Sequence, residues 1–139
     1  MQYLHKHSLY ISNVKRSLEF YTNKLGMKLI NSFKEESKEF YQLSFDDSKE
    51  SKQAILELVY DINNTRTSFP RNSKNLEGYW KIAICIKDVD IARENLIKND
   101  VHVAVAFEVP NVAYLCHFND PDGYCIELIQ HKFLKNHIK

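Results

Sequence analysis

No run of the 139-residue chain is apolar over the roughly 20 residues that a membrane-spanning helix requires. The first residues, Met1-Gln-Tyr-Leu-His5, carry neither the charged nor the apolar region of a signal peptide, so a cytoplasmic protein is expected. An excess of charge of one sign is also missing. Nineteen lysines and arginines stand against eighteen aspartates and glutamates, for a net charge of +1, and no basic run is interleaved with aromatics. That balance argues against a nucleic-acid or membrane surface and leaves a small molecule or another protein as the expected partner. Cysteine is scarce: Cys85, Cys116 and Cys125 form an odd set without a Cys-x-x-Cys pair. Neither a disulfide framework nor a zinc knuckle follows from that pattern, and reduced, mostly buried thiols are expected.

What is present suffices for a core. At 44% hydrophobic residues the chain can bury one sizeable core, or two small ones sharing a sheet. Leu4 to Ile11 reads as a strand, Ser12-Asn13 as a helix cap, and Val14 to Leu25 as a helix with Val14, Leu18, Tyr21 and Leu25 at helical spacing. Gly26 closes that helix. Three extended segments follow, Met27 to Lys34, Glu39 to Phe45 and Gln53 to Tyr60, separated by polar turns. Asp61 to Gly78 lacks periodicity and reads as a connecting loop. The pattern then restarts with a strand at Trp80 to Ile86, an Asp88 cap, a helix from Val89 to Lys98, and strands at Val101 to Phe107, Ala113 to Phe118 and Tyr124 to Gln130. Asp120-Pro-Asp-Gly123 is a tight-turn signal leading into the last of them. The expected fold class is α+β: one domain of two βαβββ modules, residues 1–62 and 78–131, joined by a loop.

The halves superpose as sequence. Leu9-Tyr-Ile-Ser-Asn-Val14 matches Ile84-Cys-Ile-Lys-Asp-Val89, 75 positions apart, and Ile55-Leu-Glu-Leu-Val59 matches Cys125-Ile-Glu-Leu-Ile129, 70 positions apart. Glu57 is therefore the equivalent of Glu127, and Lys6 of Lys81. Strand alternation sends Leu9, Ile11, Leu56, Leu58, Ile126 and Leu128 toward the helices and Lys6, Ser8, Tyr10, Glu57, Lys81, Ala83, Cys85 and Glu127 to the other face. Two lysines and two glutamates should thus share one concave face.

At this point the sequence resembles the vicinal oxygen chelate superfamily, which includes glyoxalase I and the bleomycin-resistance proteins. The matching stretches are Asn13-Val-Lys-Arg-Ser-Leu-Glu-Phe-Tyr21 with Leu25-Gly-Met-Lys-Leu29, Ala54-Ile-Leu-Glu-Leu-Val-Tyr60, Gly78-Tyr-Trp-Lys-Ile-Ala83 and Asp120-Pro-Asp-Gly-Tyr-Cys-Ile-Glu-Leu128. Single-domain bacterial glyoxalase I, a lactoylglutathione lyase, is the branch it is most similar to. The resemblance implies curved mixed sheets around a cleft, a homodimer, and an octahedral divalent metal held by a residue of the first strand, a Glu of the fourth, a His of the fifth and a Glu of the eighth. Carried onto this chain, the Glu positions fall on Glu57 and Glu127, but the other two fall on Lys6 and Lys81. A protonated lysine has three donors and no lone pair, so it cannot ligate a metal.

The expectation is therefore a metal-free ionic cluster of Lys6, Glu57, Lys81 and Glu127, with no cofactor. The alternative is a divalent ion such as nickel, zinc or manganese on Glu57 and Glu127, reached by His5 or His7 after a one-residue slip of the first strand. The glutathione-contact positions implied by the family fall on Tyr10 and Asp61. Trp80, with Tyr79, offers an aromatic wall. Cys85 and Cys125 are placed on the face of the cluster, close enough to meet if first and last strands pair. His102 and His117 read as surface or structural, and residues 132–139 as a solvated tail. Two functions stay open: a small-molecule binding protein without chemistry, as among the bleomycin-resistance proteins, and a glyoxalase-like lyase acting on a small carbonyl or thiol-conjugate substrate.

Overall fold

The computed structural model describes residues 2–63 and 80–131. They fall into two compact units, one on each side of the intervening stretch; Tyr79, most of the 61–78 loop and the 132–139 tail lie outside the described residues. Each unit carries one four-stranded sheet, and the two sheets have the same strand order.

Module 1 contains β1 (Lys6–Tyr10), α1 (Val14–Glu19), β2 (Lys28–Glu35), β3 (Lys38–Ser44) and β4 (Ile55–Asp61), in the sheet order β1-β4-β3-β2. Module 2 repeats this with β5 (Ile82–Cys85), α2 (Val89–Lys98), β6 (Phe107–Val109), β7 (Ala113–Asn119) and β8 (Cys125–His131), in the order β5-β8-β7-β6. First and last strands of each module pair in parallel, and every other pairing is antiparallel. The α+β class and the doubled βαβββ unit are as the repeat implied. No helix among the described residues is long and apolar enough to cross a membrane.

Local chemistry sets the element ends. Asn13 and Asp88 each sit in extended backbone, and their side chains accept from Arg16 N and Ile91 N, satisfying helix donors that lack an intrahelical partner. Gly26 adopts φ +88, with open space around the position a Cβ would take, so only the backbone angle calls for glycine there. In the turn before β8, Asp120 Oδ1 accepts from the backbone of both Asp122 and Tyr124, and Gly123 takes φ 92. Asp120 and Asp122 are both buried, at 5% exposure, and the Asp120 carboxylate holds this turn closed.

The structure departs from the periodicity at three places. The expected helix from Val14 to Leu25 is α only to Glu19 and continues as a π-helical turn over Phe20–Lys24. The extra residue in that turn rotates the inward face, so Ser17, Phe20 and Tyr21 are buried while Val14, Leu18 and Leu25 are only partly covered. The expected strand from Val101 to Phe107 reduces to a single bridge, Val103 with Phe118, and β6 begins at Phe107. There Arg93 of α2 holds the carbonyl of Ala104 at 3.0 Å, which engages that group outside the ladder. The fifth strand is also shorter than expected, four residues from Ile82, with its isoleucines half-covered.

In both modules the helix-facing side is the core. Leu9, Ile11, Leu43, Leu56 and Leu58 are buried in module 1, and Val89, Leu96, Cys116, Ile126 and Leu128 in module 2. Burial pushes the Cys116 thiol up from its ordinary pKa. The opposite face of each sheet carries a buried glutamate, Glu57 in module 1 and Glu127 in module 2.

Candidate functional site

The register places the site residues within each module. Parallel pairing sets Ser8 beside Glu57 and Leu9 beside Leu58, so Lys6 and Ser8 project from the face that carries Glu57. Antiparallel pairing sets Gln42 on the other side of Glu57. Glu57 is 2% exposed, and three donors converge on it: Lys6 Nζ at 3.0 Å and Gln42 Nε2 at 2.8 Å on Oε2, and Ser8 Oγ at 2.8 Å on Oε1. Asn31 of β2 donates in turn to Gln42 Oε1 at 3.3 Å, so a polar row crosses all four strands. Burial raises the Glu57 carboxyl pKa, but hydrogen bonds from Gln42, Ser8 and Lys6, with the Lys6 charge, outweigh it and hold the group below its ordinary value. Beside this row runs an apolar one, in which Phe33 and Phe40 stack with centroids 4.7 Å apart.

Module 2 builds the same geometry with other side chains. Ala83 of β5 and His117 of β7 flank Glu127, which is 4% exposed. Lys81 Nζ and His117 Nε2 both contact Glu127 Oε2, the histidine at 2.7 Å, and the two nitrogens lie 3.5 Å apart. A carboxylate only accepts, so His117 donates through Nε2. The Lys81 ammonium also lies 4.1 Å from the centroid of the Trp80 ring, which is 70% exposed.

Each expected lysine therefore meets the expected glutamate, Lys6 with Glu57 and Lys81 with Glu127, as one ion pair per module. The slip that was to bring His5 or His7 to Glu57 does not occur: His7 stands opposite Leu56, and His5 precedes β1. Cys85 and Cys125 do not meet. Although β5 and β8 pair, the register sets Cys85 beside Ile129, four residues along β8 from Cys125, or roughly 13 Å at the rise of a strand. Cys116 and Cys125 are buried and Cys85 is exposed, which agrees with the expectation of mostly buried thiols. Tyr10 lies on the site face, half-buried, opposite Val59. Asp61 ends β4 and accepts from Ser37 Oγ at 2.9 Å and from Asn63 N at 3.0 Å, which commits it to the turn there.

Two site residues escaped the sequence reading, Gln42 and His117, while Ser8 was expected on the site face but not as a partner of Glu57. The repeat contains the signal for them, since Gln42 and His117 are separated by the same 75 positions as Lys6 and Lys81, as are Ser8 and Ala83. His117, expected at the surface or in a structural role, belongs to the Glu127 group.

The donor set does not fit a divalent metal. Lys6 and Lys81 present N–H groups to the carboxylates where a ligand would need a lone pair, and no group of three His, Cys, Asp or Glu side chains suited to a metal occurs among the described residues.

Paired βαβββ modules, each joining its first and last strands in parallel and setting a buried glutamate on the face away from its helix, define a glyoxalase-type fold. Residues 3–128 match the model of the Glyoxalase/Bleomycin resistance protein/Dioxygenase superfamily, and the chain belongs to that family. It is 35% identical over 136 residues to the lactoylglutathione lyase of Salmonella typhimurium, covering 95% of this chain and 94% of that one. Glyoxalase I of Saccharomyces cerevisiae is 31% identical over 133 residues, a match spanning 87% of this chain but 41% of the yeast protein. Among solved structures, the trypanothione-dependent glyoxalase I of Leishmania major aligns with a TM-score of 0.75 and 26% identity, over 99% of this chain and 92% of that one.

Proposed function

We propose that this chain is a glyoxalase-family protein that binds a small molecule without the family's divalent metal, its two modules acting as one domain. The observation that carries this reading is the pairing of Lys6 with Glu57 and of Lys81 with Glu127. Two ammoniums with two carboxylates are neutral, as a divalent cation with two carboxylates would be, so the charge balance of the family site is kept while its ligand chemistry is lost. Lys6, Glu57, Lys81 and Glu127 are the proposed binding residues, with Tyr10 and Trp80 as ligand-contacting aromatics. A homodimer in the cytoplasm is the expected state. Elemental analysis of the dialysed protein tests the reading, together with thermal-shift screening. The expected result is no stoichiometric metal and a saturable shift from at least one small organic ligand; one tightly held divalent ion per chain overturns it.

A second reading is favoured by the 35% identity to a lactoylglutathione lyase over nearly the whole length of both chains. On it, the protein is a lyase for a small carbonyl or thiol-conjugate substrate. Turnover of methylglyoxal with glutathione, measured with and without added nickel or zinc, decides between the two, because the binding reading expects none in either condition.

A further inference from the structure

Ser8 and Ala83 hold the same place in the two modules, each in parallel register with the buried glutamate of its sheet. They differ by one hydroxyl. Glu57 consequently has a donor on each oxygen, Ser8 on Oε1 and Lys6 with Gln42 on Oε2. Glu127 has both of its donors, Lys81 and His117, on Oε2, and no described residue donates to Oε1. Among the described residues the one buried side-chain polar atom without a partner is Ser17 Oγ, so Glu127 Oε1, with no donor from the sheet, keeps access to solvent and stands as an open acceptor.

The surroundings narrow what would supply the donor. The Lys81 charge already balances Glu127, so a neutral donor fits better than a cation, and an anion would be repelled by the open oxygen. In module 1 the group that fills the position is a hydroxyl. Along the same face of module 2, one register step from the His117–Glu127–Ala83 row, lie Phe107, Leu115, Ile129 and Cys85. Phe107 is 47% exposed, with its ring centroid 5.9 Å from that of His117. An apolar strip therefore adjoins the open oxygen.

We infer that module 2 binds a neutral alcohol with an apolar or aromatic body, its hydroxyl donating to Glu127 Oε1 where Ser8 Oγ donates to Glu57. The body lies along Phe107, Ile129 and Cys85. This inference rests on the small-molecule binding reading and names the chemistry of the ligand.

The test uses the full chain, labelled for NMR, titrated with benzyl alcohol and with benzyl methyl ether, which has the same body but no donor. The alcohol is expected to shift the Ala83 amide and His117 ring signals saturably, with an affinity roughly tenfold or more above that of the ether. Ala83→Ser, which supplies the missing hydroxyl internally, is expected to bring the alcohol down to the level of the ether. Ser8→Ala opens the equivalent oxygen of Glu57 and is expected to create a second alcohol-dependent set of shifts, in module 1. Equal affinity for the two compounds overturns the inference while leaving the binding reading in place, since the body still binds. Unchanged alcohol affinity in Ala83→Ser overturns it too, and the absence of saturable shifts from either compound counts against both.

Discussion

Glu57 shows how one buried carboxylate ties pH to stability. Its pKa in the folded protein lies below the ordinary 4.5, because three donors and the Lys6 charge favour the ionised form against burial. A depressed carboxylate contributes stability that is complete above the unfolded value and is lost as pH falls through the folded one. Glu57→Gln is therefore expected to be destabilised by roughly 2 kcal/mol at neutral pH, with the difference from wild type narrowing below about pH 4.5. Urea unfolding followed from about pH 3 to 7 measures this; a gap of constant size across that range would show that Glu57 is not the linked group. The two lysines and two glutamates were legible in the sequence because alternation along a single strand assigns each to a face. His117 and Gln42 were not, because their contact with the glutamates depends on the antiparallel register of a neighbouring strand, which no pattern within one strand encodes.

The first helix is the element in which local pattern and packing diverge most. Its apolar residues at helical spacing predicted one continuous α-helix, but the π-helical turn at Phe20–Lys24 brings Phe20 and Tyr21 inward together, their rings edge to face at 5.1 Å. The same face buries Ser17 completely, and its hydroxyl has no hydrogen-bond partner. A buried hydroxyl without a partner loses hydration and gains nothing in return. Ser17→Ala is accordingly expected to be neutral or to stabilise by up to about 1 kcal/mol, read as an unchanged or raised melting temperature. A loss of about 1 kcal/mol or more would mean that the hydroxyl is satisfied in solution. The caps, by contrast, were legible: Asn13 and Asp88 occupy the positions their sequence context assigned, because a capping side chain acts on backbone only two or three residues away. The strand expected at Val101 to Phe107 failed for the opposite reason, since a side chain ten residues upstream in α2, Arg93, engages its backbone.

At the scale of the whole molecule, the repeat carried most of the information. Once Glu57 was set against Glu127 and Lys6 against Lys81, the sheet order of one module implied that of the other, and the observed register agrees: Leu9 pairs with Leu58 as Ile84 does with Leu128. If the lysines have taken over the balancing role of a metal, chelation has nothing structural to remove. Incubation with excess EDTA is expected to leave the melting temperature within about 1 °C of its starting value, whereas a drop would reveal a bound ion that stabilises the fold. The parallel closure of each sheet also has a kinetic consequence. Lys6 is 51 residues from Glu57, and Lys81 is 46 from Glu127, so a leading strand leaves the ribosome long before the strand it must join. The hairpin of β2 and β3 spans a tight turn and pays little chain entropy to close, while β1 and β5 wait for β4 and β8. Pulsed hydrogen exchange during refolding should protect the β2–β3 amides first and those of β1 last; simultaneous protection would mean that each module condenses in a single step. The Lys6–Glu57 and Lys81–Glu127 ion pairs would then be among the last contacts made, and would report that a module has finished folding.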